Sequence, residues 1–226
     1  NNDVHPAPSP LPAEHHEEAW VADRTIARLR QHLADSPEKP FLMWSSFAKP
    51  HSPYDPARPW DAMYDPREVP APLGGWDTSE ELMQTRDREL QRRRVLYGWD
   101  KLSPQAVQVC RAHYCGMISF QDQQIGRILS WLDEAALADN TVVVYTADHG
   151  DLLGDFGRFF KVTMMDSSVM VPQVWRVPGV IPDDGPRQRD QFVGSHDVLP
   201  TVCALTGCAL PQPVDGMDLT PGLKDP

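Results

Sequence analysis

Two short stretches hold most of the side chains that could do chemistry. The first is "TADHGDLLGDFGRFFK", Thr146 to Lys161. It sets Asp148 beside His149, places glycines at 150, 154 and 157, and ends on Lys161. The second is "AKPHSPYDPARP", in which Lys49 and His51 flank Pro50 and prolines recur at 53, 56 and 59. A carboxylate next to an imidazole suits a divalent cation. Oxygen ligands favour Ca²⁺, Mg²⁺ or Mn²⁺, and one imidazole is tolerated by Mn²⁺ or Zn²⁺ and less often by Ca²⁺. The same dipeptide also describes an Asp capping a helix beside a satisfied His. Lys161 either snorkels from a surface or neutralises a bound oxyanion and protonates a leaving group. Lys49 and His51, on a loop stiffened by proline, suit an anionic oxygen. They equally suit an ordinary proline-rich surface loop.

The elements around these stretches decide what they can reach. Glu14 to Leu33 carries apolar residues at helical spacing (Ala19, Ile26, Leu29, Leu33) and predicts an amphipathic helix. Pro37 and Pro40 end it, and Phe41 to Phe47 then reads as a buried strand running into the Lys49–His51 loop. Thr78 to Arg94 predicts an exposed, charged helix with a solvated face. Ser103-Pro104 predicts a helix start, and the apolar spacing from Val107 to Leu132 predicts the longest helix. Thr141 to Thr146 predicts a central strand, Val169 to Val177 a second one broken by Pro172, and Phe192 to Gly194 a short third. Ser195 is placed as the cap of a helix running through Leu205 and stopped by Gly207. Helices alternating with apolar strands give an α/β class with a mostly parallel sheet. Ligands of such sheets sit beyond the strand carboxyl ends, so the loops after Phe47 and Thr146 are expected at one crevice.

Composition narrows the partners. At 226 residues, 41% hydrophobic and 23% charged, the chain matches a globular protein. A net charge of -11 argues against a nucleic-acid surface, and an anionic substrate would need a locally positive site. No apolar run approaches the roughly 20 residues of a membrane span. Cysteines 110, 115, 203 and 208 lack zinc-finger spacing and read as reduced thiols.

In order and spacing, the stretches together resemble a type I sulfatase of the alkaline phosphatase superfamily, in its middle and later part. "FLMWSSFAKPHSPYDPARPW" resembles that family's strand and Lys-Pro-His-x-Pro loop. "HYCGMISFQDQQIGRILSWLDEAALADNTVVVYTADHGDLLGDFGRFFKVTMMDSSVMVPQVWRVPG" resembles its long helix, strand, Asp-His-Gly turn and lysine segment. "HDVLPTVCALTG" and "VDGMDL" resemble its later helix and turn. The resemblance implies Asp148 and His149 as two ligands of a divalent cation, usually Ca²⁺, with Mg²⁺ or Mn²⁺ as alternatives. It implies Lys161 on the sulfate, and His51 on the sulfate or ester oxygen, aiding protonation of the leaving group. Lys49 carries over more weakly as a substrate contact, since its side chain can point elsewhere. It further implies a sulfuric ester hydrolase acting on a small anionic sulfate ester.

The departures shape the expectation. No Cys or Ser of this chain stands in the family's Cys/Ser-x-Pro/Ala-x-Arg motif, whose modified residue, formylglycine, is the nucleophile. The family's two N-terminal metal-binding aspartates are also missing. Residues 1–226 are therefore expected to be part of a single sulfatase-like catalytic domain, partnered by the N-terminal remainder of the same protein, with Gly75–Asp100 as a variable, insertion-like region. Phe156, Asp166 and Met170 stand where members often have His, Glu and Arg. Two other readings stay open: a phosphonate monoester or phosphodiester hydrolase of the same superfamily, and a binding homologue without catalysis.

Overall fold

The computed structural model describes residues 4, 6–76, 88–161, 163–182, 188–210 and 212–224. They form two compact units, one of Asn1–Glu134 with Asp151–Val169, the other of Ala135–Gly150 with Met170–Pro226.

The first unit is built on helices. Helix α1, Glu17–Asp35, buries Ala19, Ala22, Ile26 and Leu29 along one stripe, as the apolar spacing requires. Helix α2 spans Arg88–Leu96. Helix α3, Pro104–Glu134, starts where the Ser103 hydroxyl accepts the Ala106 N–H at 3.1 Å. Its buried face, including Val107, Cys110 and Met117, packs with Tyr54, Trp76, Leu90, Trp99 and Phe159 into the main core. Phe120 joins Ala19 and Ala57 in a second cluster, its ring 4.2 Å from that of Trp60. The loop carrying Trp60 lies hard on α3: a Cβ at Gly116 would stand 2.3 Å from the Trp60 carbonyl oxygen. A short helix, α4, spans Asp166–Val169.

The second unit holds strands β1, Val143–Thr146, and β2, Gln173–Arg176. They pair antiparallel, with Val143 opposite Arg176 and Thr146 opposite Gln173. Helix α5, Val198–Thr206, ends at Gly207, whose φ of +72° closes the last turn. Helix α6 spans Thr220–Lys224. Asp197 ties this unit together: its carboxylate accepts the N–H groups of Gly194 (2.8 Å) and Met217 (2.7 Å).

Several expectations change. The α/β class stands, but the sheet among the described residues is antiparallel and two-stranded. Hydrophobic periodicity reports which faces are buried and is silent on strand direction. Residues 41–47 lie in no strand, and alternate exposed side chains such as Leu42 and Trp44 with half-buried ones. Residues 192–194 are in no strand, and Phe192 is exposed. The helix expected over 78–94 lies partly outside the described residues; within them it runs from Arg88, and Arg94 is buried rather than solvated.

Candidate functional site

The Lys49–Asp55 loop is anchored from inside. Lys49 is buried, and its ammonium donates to the Pro53 carbonyl (2.9 Å) and the Asp55 carboxylate (2.6 Å), with Glu17 at 3.5 Å. Gln121 of α3 donates to the Lys49 carbonyl at 2.7 Å. Lys49, a substrate candidate from sequence, is thus turned into its own loop. Two residues on, His51 is exposed. Its Nδ1 lies 2.9 Å from the Ser52 carbonyl oxygen. A carbonyl only accepts, so Nδ1 carries the proton and Nε2 the lone pair.

The 151–161 loop is closed on itself. Leu152 N–H donates to the Phe160 carbonyl (2.9 Å) and Gly154 N–H to the Arg158 carbonyl (2.7 Å). Gly154 has φ +97°, and a Cβ there would stand 2.6 Å from Val107 of α3, so glycine is required on both counts. Leu153, Phe156 and Phe160 also take positive φ, a conformation held by the surrounding bonds. Asp151 supplies much of the hold: it accepts the N–H groups of Leu153 (2.9 Å) and Phe160 (3.0 Å). Its other oxygen accepts the Tyr54 hydroxyl at 2.9 Å. Burial pushes the Asp151 carboxyl up against these stabilising bonds. Tyr54, wholly buried, is pushed well above its ordinary range, by burial first and then by the Asp151 charge.

The Tyr54–Asp151 bond links the two loops, and their exposed ends meet. Lys161 Nζ lies 2.6 Å from His51 Nε2 across 110 residues of sequence. With Nδ1 protonated, Nε2 accepts from the ammonium. The pair therefore presents a fixed cation and a ring nitrogen able to take up and pass on a proton, on a surface two loops hold rigid.

Asp148 and His149 lie in the second unit. His149 Nδ1 is 2.8 Å from the Gly150 carbonyl, which fixes its proton there and leaves the lone pair on Nε2. That Nε2 stands 3.5 Å from Asp148 Oδ2, and Asp148 Oδ1 accepts the His149 N–H at 2.9 Å. The donor set and tautomer suit a divalent cation. Two donors fall short of the six to eight oxygens Ca²⁺ takes, and the described residues contain no group of three or more metal-ligating side chains.

Sequence reasoning passed over the residues that hold the site. Asp155, buried, accepts the Leu73 N–H (2.9 Å) and pairs with Arg111 at 3.2 Å. Arg111 also donates to the Leu153 carbonyl at 2.9 Å. Arg94 donates to the Gly157 carbonyl at 2.9 Å, its guanidinium 4.6 Å from the Trp76 ring centre. The one available signal was a charged residue set in an apolar or glycine-rich run, as at Asp151 and Asp155.

Comparison with known proteins decides the family: the sulfatase family model matches residues 6–208. The chain belongs to the sulfatase family. It is 30% identical over 205 residues to an arylsulfatase of Clostridium perfringens, covering 90% of this chain and 41% of that protein. It is 29% identical over 232 residues to a multifunctional alkaline phosphatase superfamily protein of Trinickia caryophylli, covering 96% of this chain and 43% of that one. Among solved structures it resembles the phosphonate monoester hydrolase of Silicibacter pomeroyi, with TM-score 0.77 and 27% identity, covering 99% of this chain and 46% of the other. This sulfatase-family chain thus spans less than half the length of these relatives.

Proposed function

We propose that the chain forms part of a sulfuric ester hydrolase, with His51 and Lys161 as its anion-handling pair. The observation that carries this reading is the 2.6 Å contact between Lys161 Nζ and His51 Nε2, formed by loops that the family resemblance assigned independently. The fixed ammonium of Lys161 offsets charge on a sulfate oxygen. His51 is oriented through Nδ1 on Ser52. A proton shared between Nζ and Nε2 is available to the departing alcohol oxygen, the role of a general acid. Asp148 and His149 are two ligands of a divalent cation, Ca²⁺ in first place. When bound, that cation would supply Lewis-acid charge. The nucleophile is assigned to no residue of this chain.

A second reading is favoured by the likeness to the phosphonate monoester hydrolase of Silicibacter pomeroyi. Sulfate monoesters and phosphate diesters both present a tetrahedral, singly charged centre, so His51 and Lys161 suit either. Measuring kcat/KM of the full-length protein on an aryl sulfate, a phosphonate monoester and a phosphodiester separates the readings. Highest efficiency on the sulfate supports the first; a clear preference for a phosphorus ester replaces it with the second.

A further inference from the structure

Beside Lys161 the first unit opens a cleft of about 590 Å³. Among the described residues its charged lining is Arg93, Arg158, Lys161 and Glu89, and its apolar wall includes Leu152 and Met164. Glu89 does not occupy the whole of the Arg93 guanidinium. Its carboxylate is divided between Arg92, at 2.9 Å, and Arg93, at 2.6 Å. Arg93 meets it through Nε, so its terminal amines remain as a planar pair of donors, the geometry that suits an oxyanion. The Arg93 side chain is only 24% exposed, which lessens screening by water.

From these features we infer that the cleft holds the alcohol portion of the substrate and selects an ester carrying a second oxyanion, a carboxylate or another sulfate, recognised by Arg93. The inference rests on the sulfatase reading for the position of the reacting sulfate at Lys161. Lys161 takes the ester group, Arg93 takes the second anion, and Leu152 with Met164 covers the carbon skeleton between them. Met164 is unbranched and exposed, so the wall adapts to skeletons of different shape.

The test uses the full-length protein and two aryl sulfates that differ only in a ring carboxylate. Kinetics on both are compared for the wild type, Arg93→Gln and Arg92→Gln. Arg92→Gln is the control, because it also loses a Glu89 pair but does not line the cleft. Taking the ratio between variants removes the carboxylate's own effect on leaving-group reactivity. For Arg93→Gln, kcat/KM on the carboxylated ester is expected to fall about tenfold or more, mainly through KM. The plain ester and the Arg92→Gln control should change less than about twofold. Equal losses on both esters, or equal effects of the two variants, overturn the inference while leaving sulfate hydrolysis intact. A binding arm keeps the two ideas apart: calorimetry with the carboxylated phenol alone. Arg93-dependent binding of that phenol without any sulfate turnover supports the cleft and counts against the sulfatase reading. Binding that is indifferent to Arg93 counts against the cleft.

Discussion

At the residue scale the account rests on which nitrogen of each histidine carries the proton. In both His51 and His149, a neighbouring carbonyl takes Nδ1–H and directs Nε2 outward, to Lys161 in one case and Asp148 in the other. Replacing Lys161 by Ala in the full-length protein is expected to lower kcat by about 10²–10³-fold, the usual cost of one aimed charge. Lys161→Arg should not restore the rate, because a guanidinium cannot share a proton in this way. Steady-state kinetics checks both. A second prediction concerns Cys110, whose thiol burial pushes up to about 12. It should resist iodoacetamide in the native protein at pH 8 while the exposed Cys208 reacts, as peptide mass spectrometry would show. His51 and Lys161 were named from sequence because the family resemblance carried them, and the structure brings the two side chains together. Lys49 was less legible: the resemblance carried it only weakly, and the turn of the loop sends it inward onto Pro53 and Asp55.

Loops and their anchors decide the element scale. Tyr54–Asp151 joins the His51 and Lys161 loops, so Tyr54→Phe leaves a half-buried carboxylate short of one donor. It should cost about 1–3 kcal/mol of stability by urea unfolding and lower kcat without touching substrate. In the second unit, the backbone N–H groups of Met217 and then Gly194 hold the Asp197 carboxyl below its usual range. A depressed carboxyl binds fewer protons folded than unfolded. Its stabilisation is therefore present above the ordinary Asp pKa of about 3.9 and is lost as pH falls through the lowered value. Asp197→Asn should be less stable at neutral pH and should lose less on acidification than the wild type, measured by urea midpoints from pH 6 to 2.5. Helix positions and lengths were readable from apolar spacing because α1 and α3 each bury one stripe. Strand partners were not, since residues 41–47 and β1 show the same apolar runs but only β1 pairs among the described residues. Asp155–Arg111 and Arg94–Gly157 were also hidden, because a buried polar contact joins residues whose separation in sequence carries no signal.

At the scale of the whole chain, a net charge of -11 and the proposed sulfate ester substrate are compatible only if positive charge is concentrated at the site. In the first unit, Lys161 and Arg93 line one cleft and provide part of that concentration. Chelation of the full-length protein should abolish turnover and added Ca²⁺ should restore it, while Asp148→Ala should raise the Ca²⁺ needed, read by calorimetry as well as by activity. The isolated 226-residue chain, with no Cys/Ser-x-Pro/Ala-x-Arg motif, should turn over no aryl sulfate even with Ca²⁺ present. The central claim, that His51 and Lys161 together receive the tetrahedral anion, is tested most directly by a crystal structure of the full-length protein soaked with vanadate or sulfate. The account predicts the anion's oxygens within about 3.2 Å of both Lys161 Nζ and His51 Nε2. An anion bound elsewhere, with the two nitrogens still closed on each other, would contradict it.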